Sequence, residues 1–374
     1  MIFMKIMIIG DGKIGSVLAE QLSKEKHEVT LVDRSGVRLD QSNNELDVMV
    51  VEGDGASREV QLEAGADQAD LVIACTGADE LNLLCCLIGK KLGARHTIAR
   101  VRNPMYVEEL NLIKDDLGLS MAINPEEACA TEMARVLRFP SAIKIDTFAK
   151  GRVELLRFRL KPEIGFGGKT VMDIMRQLKC DVLICAVERG SEVVIPNGSF
   201  VLQDTDILSI VGSLENTAQF FEKIGLRSKS VKNSLIIGGG TIAHYLAQDL
   251  LKIGFRVRII EQRKERCDYL SEVIPGADII NGDGSDRDLL LEEGLTYADS
   301  LVALTGLDEE NIFLALYGKL HSNAKLIAKV NKIAFDDVID SFGIDSIIYP
   351  KYLTADYILQ YVRARQNTIG RNAV

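Results

Sequence analysis

Short, uninterrupted apolar runs alternate with amphipathic stretches along most of this chain. In the first third, "KIMIIG", "EVTLVD", "DVMVVEG", "ADLVIACTG" and "HTIARVR" are apolar at successive positions. That is the pattern of parallel strands covered on both faces. Between them, "KIGSVLAEQLSKE" and "DELNLLCCLIGKKLG" repeat their apolar residues at helical period. A last strand, "SMAIN", precedes Pro125, and "PEEACATEMARVL" predicts a helix that leaves the domain. The alternation predicts an α/β fold with a doubly wound, Rossmann-like parallel sheet.

The pattern then returns. Aligning "KIMIIGDGKIG" with "SLIIGGGTIAH" places Gly10 over Gly238 and Asp33 over Glu261, both 228 residues apart. After a one-residue shift, Gly53-Asp54-Gly55 matches Gly282-Asp283-Gly284, Thr76-Gly77 matches Thr305-Gly306, and Arg100 matches Lys329. A shared offset with one insertion over this length means a duplicated domain.

The segment between the copies has a different grammar. "RVELLRFRL" alternates at strand period and "KTVMDIMRQL" is an amphipathic helix. "DVLICAVER" and "SEVVIPNGSFVLQDTDILSIVGS" read as strands joined by a Pro-Asn-Gly turn. This predicts a small α+β domain. The expected boundaries are 1–141 for the first glycine-turn domain, 142–226 for the α+β domain and 227–233 for a basic linker. A second glycine-turn domain follows at 234–357, with a helical tail at 358–374.

With 374 residues and 47% hydrophobic residues, the chain is long enough for several domains with ordinary cores. A net charge of −10 with no basic tract argues against a nucleic-acid partner. The seven cysteines are irregularly spaced, lack any Cys-x-x-Cys pair and mostly sit in apolar runs. They read as reduced core residues of a cytosolic protein. The four histidines are scattered, so no metal site is expected. No run reaches the ~20 apolar residues of a membrane helix.

The candidate chemistry lies in the turns. Gly10-x-Gly12-x-x-Gly15 stands between a strand and a helix, where backbone N–H groups can approach a pyrophosphate. Asp33, ending the next strand, can accept hydrogen bonds from ribose hydroxyls, which favours NAD(H) over NADP(H), although Arg34 beside it works the other way. ADP and ATP carry the same free ribose, so the acid does not separate them from NAD. Lys13 can meet a phosphate or stay solvated. The second turn is Gly238-Gly239-Gly240-x-x-Ala243, with Glu261 as its acid. Asp54 and Asp283 either face the adenine or cap the next helix. Asp79, Asn82, Asp308 and Asn311 begin helices and either cap them or meet a partner. Arg100, on a central strand, needs a partner; a bound phosphate and Asp79 are the candidates.

A dehydrogenase would add an acid–base group aimed at the nicotinamide. The central segment contains no histidine, and no Gly-x-Ser-x-Gly, His-Glu-x-x-His or Walker lysine motif appears. The nucleotides read as ligands and not as reactants, which points to a sensor. The competing reading is an NAD-dependent oxidoreductase that borrows its acid from another subunit.

The run "GDGKIG…LVDRS…GDGA…EAGADQADLVIACTGADELN…ARVRNP", followed by "VIPNGSFVLQDTDILSIVG", resembles the TrkA family, built from RCK (KTN) domains. The resemblance covers nearly the whole chain. It implies a cytoplasmic, non-enzymatic regulatory subunit, peripheral on the inner face of the plasma membrane. Its expected partner is a TrkH/TrkG-type potassium-translocating subunit; a potassium channel or potassium/proton antiporter is the alternative. It implies binding of NAD(H) and ATP/ADP, and assembly into a dimer or tetrameric ring. By position, the first site would use Gly10, Asp11, Gly12, Lys13 and Ile14, with Asp33, Thr76, Gly77 and Arg100. The second would use Gly238, Gly239, Gly240, Thr241 and Ile242, with Glu261, Thr305 and Lys329. The family layout carries a further small α+β subdomain after the second copy, and this sequence reaches Val374 without one.

Overall fold

A computed structural model describes residues 3–138, 142–148, 153–190, 192–225, 232–331 and 342–371. The first domain holds strands β1 (Lys5–Ile9), β2 (Glu28–Asp33), β3 (Met49–Glu52), β4 (Leu71–Ala74), β5 (His96–Arg100) and β6 (Met121–Ile123). Helices α1 (Lys13–Lys24), α2 (Gly36–Glu45), α3 (Arg58–Glu63), α4 (Asp79–Leu92) and α5 (Pro104–Ile113) connect them, and α6 (Pro125–Arg138) leaves the sheet. The strand order is β3-β2-β1-β4-β5-β6, all parallel. The order reverses between β1 and β4, which opens a crevice at their carboxyl ends.

The central domain holds β7 (Ala142–Phe148), β8 (Val153–Arg159), α7 (Val171–Leu178), β9 (Val182–Arg189), β10 (Glu192–Val194), β11 (Ile207–Ser213) and α8 (Leu214–Lys223). Its sheet runs β10-β9-β11-β8-β7, antiparallel, over a core that includes the ring cluster of Phe158, Phe220 and Phe221. β7 was not anticipated from the sequence. The Pro196-Asn197-Gly198 turn does not join neighbouring strands, because β10 and β11 flank β9 on opposite sides. Its segment instead crosses the start of α7. The N–H groups of Val171 and Met172, orphans of that helix end, donate to the carbonyls of Phe200 (3.0 Å) and Gly198 (2.9 Å). Most of the expected linker, 227–231, lies outside the described residues.

The second glycine-turn domain repeats the first. Its strands are β12 (Asn233–Ile237), β13 (Arg256–Glu261), β14 (Asp278–Asn281), β15 (Ser300–Ala303), β16 (Lys325–Lys329) and β17 (Ser346–Ile348), in the order β14-β13-β12-β15-β16-β17. Its described helices are α9 (Thr241–Lys252), α10 (Lys264–Val273), α11 (Arg287–Glu292), α12 (Asp308–His321) and α13 (Pro350–Arg371). Among the described residues no helix is long and apolar enough to cross a membrane.

The two Rossmann-like domains are tied by an exchange of their last helices. Cys129, Ala130, Met133 and Leu137 of α6 are buried against Ala243, Leu246, Ala247 and Leu250 of α9, in the second domain's core. Ala355, Ile358, Leu359 and Val362 of α13 are buried against Val17, Leu18 and Leu22 of α1, in the first domain's core. Their spacing puts each set on one helical face. At about 1.5–3 kcal/mol for each fully buried large apolar side chain, the exchange is a major part of each core. Polar contacts add direction: Asn124 Nδ2 donates to Tyr245 Oη at 3.0 Å, and Arg363 pairs with Glu25.

Leu359→Ala, a change in the last helix, should therefore loosen the first domain. We expect a loss of about 2–5 kcal/mol in chemical denaturation, with faster amide exchange in α1. Faster exchange confined to α9 and the second domain would contradict the exchange.

Candidate functional site

The first turn is shaped by close backbone approach. Gly10 has φ +106°, and a Cβ there would stand 3.0 Å from the Thr76 nitrogen. A Cβ on Gly15 would stand 1.9 Å from the Gly10 carbonyl oxygen, so only glycine lets α1 start this close to the turn. Gly12 is different: a Cβ there meets nothing within 4 Å. It is also the N-cap of α1, with no side-chain cap and no acidic residue in the first turn. The first N–H groups of α1 thus keep their capacity for an anion.

Asp33 holds this turn from the neighbouring strand. Its Oδ2 accepts from the Asp11 N–H at 2.7 Å and its Oδ1 from the Ser35 N–H at 2.8 Å. A carboxylate has about four acceptor positions, so two remain for ribose hydroxyls. The Asp11 side chain turns away, accepting from Ser42 Oγ at 2.7 Å on α2. Burial pushes its carboxyl above the usual range. Arg34, the residue that would favour a 2′-phosphate, is paired with Asp54 at 2.6 Å.

At the end of β4, Asn82 is fully buried and acts as a clamp. Its Oδ1 accepts from both the N–H and the hydroxyl of Thr76 at 2.7 Å, and its Nδ2 donates to the Arg100 carbonyl at 2.9 Å. Arg100 Nη2 donates to the Thr76 carbonyl at 2.7 Å, while its buried Nε has no partner. Asp79 is thus not the partner of Arg100. Its carboxylate accepts from the backbone N–H groups of Arg102 and Asn103, both at 2.8 Å. The acids of the two Gly-Asp-Gly turns do not cap the next helix either; Ser57 and Asp286 are the N-caps of α3 and α11. Asp54 and Asp283 instead accept from the N–H groups of Ala56 and Ser285 two residues on.

These parts enclose a cavity of about 580 Å³. Gly10, Gly12, Lys13, Ile14, Asp33, Thr76, Gly77 and Arg100 all line it, and Cys75 lies beneath. The Cys75 thiol is pushed up to about 12, mainly by burial, and serves as packing. Three lining residues come from the other glycine-turn domain: Asn331, Pro350 and Lys351. No pattern within the first copy could reveal them. A volume of this order is that of a cofactor pocket. The open face at Gly12, the uncapped start of α1 and the spare acceptors of Asp33 fit the pyrophosphate and ribose of NAD or an adenine nucleotide.

The second turn repeats the frame with tighter chemistry. Gly238 has φ +99° and Gly240 opens on free space, but Ala243 replaces the third glycine and is fully buried. Glu261 Oε2 accepts from the Gly239 N–H at 2.8 Å, and Oε1 accepts from Arg263 N (2.9 Å) and Nε (3.1 Å). Burial raises the Glu261 carboxyl, and the N–H groups of Arg263 and Gly239 more than offset this, leaving it below the ordinary value. Arg266 Nε donates to the Gly239 carbonyl at 2.6 Å. The clamp is retained: Asn311 Oδ1 accepts from Thr305 N at 2.7 Å, and Lys329 Nζ donates to the Thr305 carbonyl at 2.8 Å. Burial pushes the Lys329 ammonium below its usual range. Ile242 packs into the core with α6, and Thr241 faces a cleft shared with the first domain. Among the described residues, no three His, Cys, Asp or Glu side chains are grouped to hold a metal.

Comparison with known proteins agrees with this architecture. The TrkA-N domain model matches residues 6–125 and again 234–350, and the TrkA-C domain model matches 155–225. A Trk system potassium uptake protein trkA homolog 1 of Methanosarcina mazei is 34% identical over 370 residues, 97% of this chain and 90% of that one. Among solved structures, the GsuK channel bound to NAD superposes with a TM-score of 0.72 at 21% identity, over 98% of this chain and 64% of that one. GsuK bound to ADP superposes with a TM-score of 0.60 at 17% identity, over 97% and 70%. These two likenesses are of fold, and this chain spans about two thirds of each. On its tandem TrkA-N domains, its TrkA-C domain and the Methanosarcina mazei relative matched along 97% of its length, the chain belongs to the TrkA family of RCK-domain regulatory proteins, which are not enzymes.

Proposed function

We propose that this protein is the nucleotide-sensing regulatory subunit of a Trk-type potassium uptake system. NAD(H), ADP or ATP in the glycine-turn cavities biases the arrangement of the two Rossmann-like domains. That arrangement sets potassium passage through a TrkH/TrkG-type membrane subunit, with the regulator at the cytoplasmic face. One observation carries the reading: the first cavity is completed by Asn331, Pro350 and Lys351 of the other glycine-turn domain. A ligand there touches both domains, so its affinity depends on how they sit, and linkage makes the arrangement depend on the ligand.

In this reading the phosphate turn is Gly10–Ile14, the ribose acid is Asp33, and Thr76, Gly77 and Arg100 complete the crevice. Gly238–Ile242, Glu261, Thr305 and Lys329 form the second site. The domains divide at 1–141, 142–226 and 234–357, with 227–233 as the linker and 358–374 as the C-terminal helix end. Self-assembly is supported by duplicated exposure: Leu62 (38%) and Leu291 (41%) occupy matched positions, as do Leu84 (46%) and Phe313 (69%). On this reading these residues belong to a contact face shared by the two copies. The potassium-uptake role follows the name of the Methanosarcina mazei relative; NAD and ADP follow the ligands named for GsuK.

Purified protein should bind NADH and ADP or ATP in calorimetry without oxidising NADH in the presence of 2-hydroxy acids, aldehydes or ketones. Steady turnover with any of them would sink the sensor reading. Asp33→Ala should lower NADH affinity at the first turn by roughly ten- to a hundredfold, measured where thermal melting shows the variant folded. Unchanged affinity would place the ribose elsewhere. The double change Leu84→Asp with Phe313→Asp should reduce the oligomer seen by sedimentation while leaving circular dichroism unaltered. An unchanged sedimentation coefficient would exclude that face.

A further inference from the structure

Two histidines of the first domain face the later turns of α13. His27, in the turn between α1 and β2, is only 5% exposed. Its Nδ1 accepts from the Met4 N–H at 3.2 Å, so the ring proton sits on Nε2. Nε2 lies 3.0 Å from the side-chain amide of Gln366 on α13, whose oxygen is the group able to accept that proton. In the same turn Glu25 pairs with Arg363 of α13. His96, at the start of β5, meets the ring of Tyr361 on α13 edge-on, with centroids 6.3 Å apart. Its Nδ1 lies 3.3 Å from Ser120 Oγ. Arg365 of α13 covers the Tyr361 ring at 5.1 Å and donates from Nε to its hydroxyl at 3.1 Å.

Both places suit a neutral imidazole. A second proton on His27 must go to Nδ1, where it meets the Met4 N–H, donor against donor, at a buried residue. Glu25, whose charge favours the imidazolium, then has His27 and Arg363 to serve at once. At His96 the charged neighbours are Arg365 of α13, Lys90 of α4, Asp70 and Arg95, and Asp70 is already paired with Arg95 at 2.9 Å. A proton there adds a cation among cations. Burial lowers both imidazoles below their ordinary value, and at His96 Arg365 and Lys90 lower it further. The matched positions of the second domain are Phe255 and Lys325, so its equivalent corner lacks this pair of imidazoles.

We propose that His27 and His96 form a proton-sensitive latch on the end of α13. Deprotonated, they hold Tyr361–Gln366 on the first domain. Protonated, they release that segment, while Ala355, Ile358 and Leu359 keep the earlier turns buried. The docked segment needs neutral rings, whereas the released one leaves histidines of ordinary pKa, about 6.5. The latch is therefore closed above about pH 6.5 and weakens as pH falls through that value. Acidity thereby loosens one of the two exchanged helices, with or without a nucleotide in the first cavity.

The test is hydrogen–deuterium exchange of the full chain at about pH 7.5 and about pH 5.5, read as protection factors so that the intrinsic pH dependence of amide exchange cancels. On acidification, protection of peptides spanning 361–366 and 25–28 should fall several-fold, up to about tenfold for each histidine, while 350–354 and α12 stay within about twofold. The double change His27→Gln with His96→Gln keeps an acceptor for the Met4 N–H but cannot titrate, and should flatten the response. His27→Arg should release the same segment already at the higher pH. Equal protection of 361–366 at both pH values in the unaltered chain would overturn the proposal. So would a full response in the double glutamine variant, or an equal loss in every peptide, which reports general acid loosening. Where circular dichroism shows the double variant unfolded, the histidine C–H resonances of the unaltered chain decide. His27 and His96 should both titrate below about 6.5, and titration of either at or above that value would overturn the latch.

Discussion

Each glycine-turn sheet leaves an apolar face beside its first helix that its own sequence does not cover. The last helix of the other domain covers it: α13 lies on α1, and α6 lies on α9. This mutual burial fixes the rest of the architecture. It brings Pro350 and Lys351 into the first cavity, which becomes a property of two domains. Neither sheet can move without shearing an apolar contact. In the proposed reading, a second arrangement of the domains would have to repack these contacts.

Within that frame the turns are built for backbone recognition. Gly10 and Gly15 close the strand–turn–helix by missing side chains, and Gly12 leaves its surroundings open. The acid at the end of the second strand does two jobs. Asp33 secures the turn through the Asp11 N–H and keeps acceptors for a ligand. Glu261 secures its own turn in the same way but gives its other oxygen to Arg263. The duplication has kept the frame and altered the hydrogen bonding of the acid that holds it.

The sheets were legible because their inner strands are buried on both faces and read as continuous apolar runs, while the edge strands β3 and β14, more exposed, still carry short apolar runs. The duplication was legible because turns constrain residue type at fixed spacing. β7 was missed because it follows α6 closely and is defined by its antiparallel pairing with β8, which shifts register between Ala142 and Lys144. The Pro-Asn-Gly signal was real as a turn, but it serves the start of α7, and sequence distance hides that use. Asn82 and Asn311 stood out as residues at helix starts, yet their role as buried clamps depends on the next strand's carbonyl. Lys351 was invisible as a site residue because a charge on a helix start carries no address; only the helix exchange gives it one.

The central claim is that a nucleotide in the first cavity is felt by the other glycine-turn domain through α13. The direct measurement is hydrogen–deuterium exchange of the full chain with and without saturating ADP or ATP, followed peptide by peptide. The account predicts slower exchange both in α1, at the turn, and at the start of α13 around Pro350 and Lys351. Protection confined to peptides of the first domain, with α13 unchanged at saturation, would contradict it.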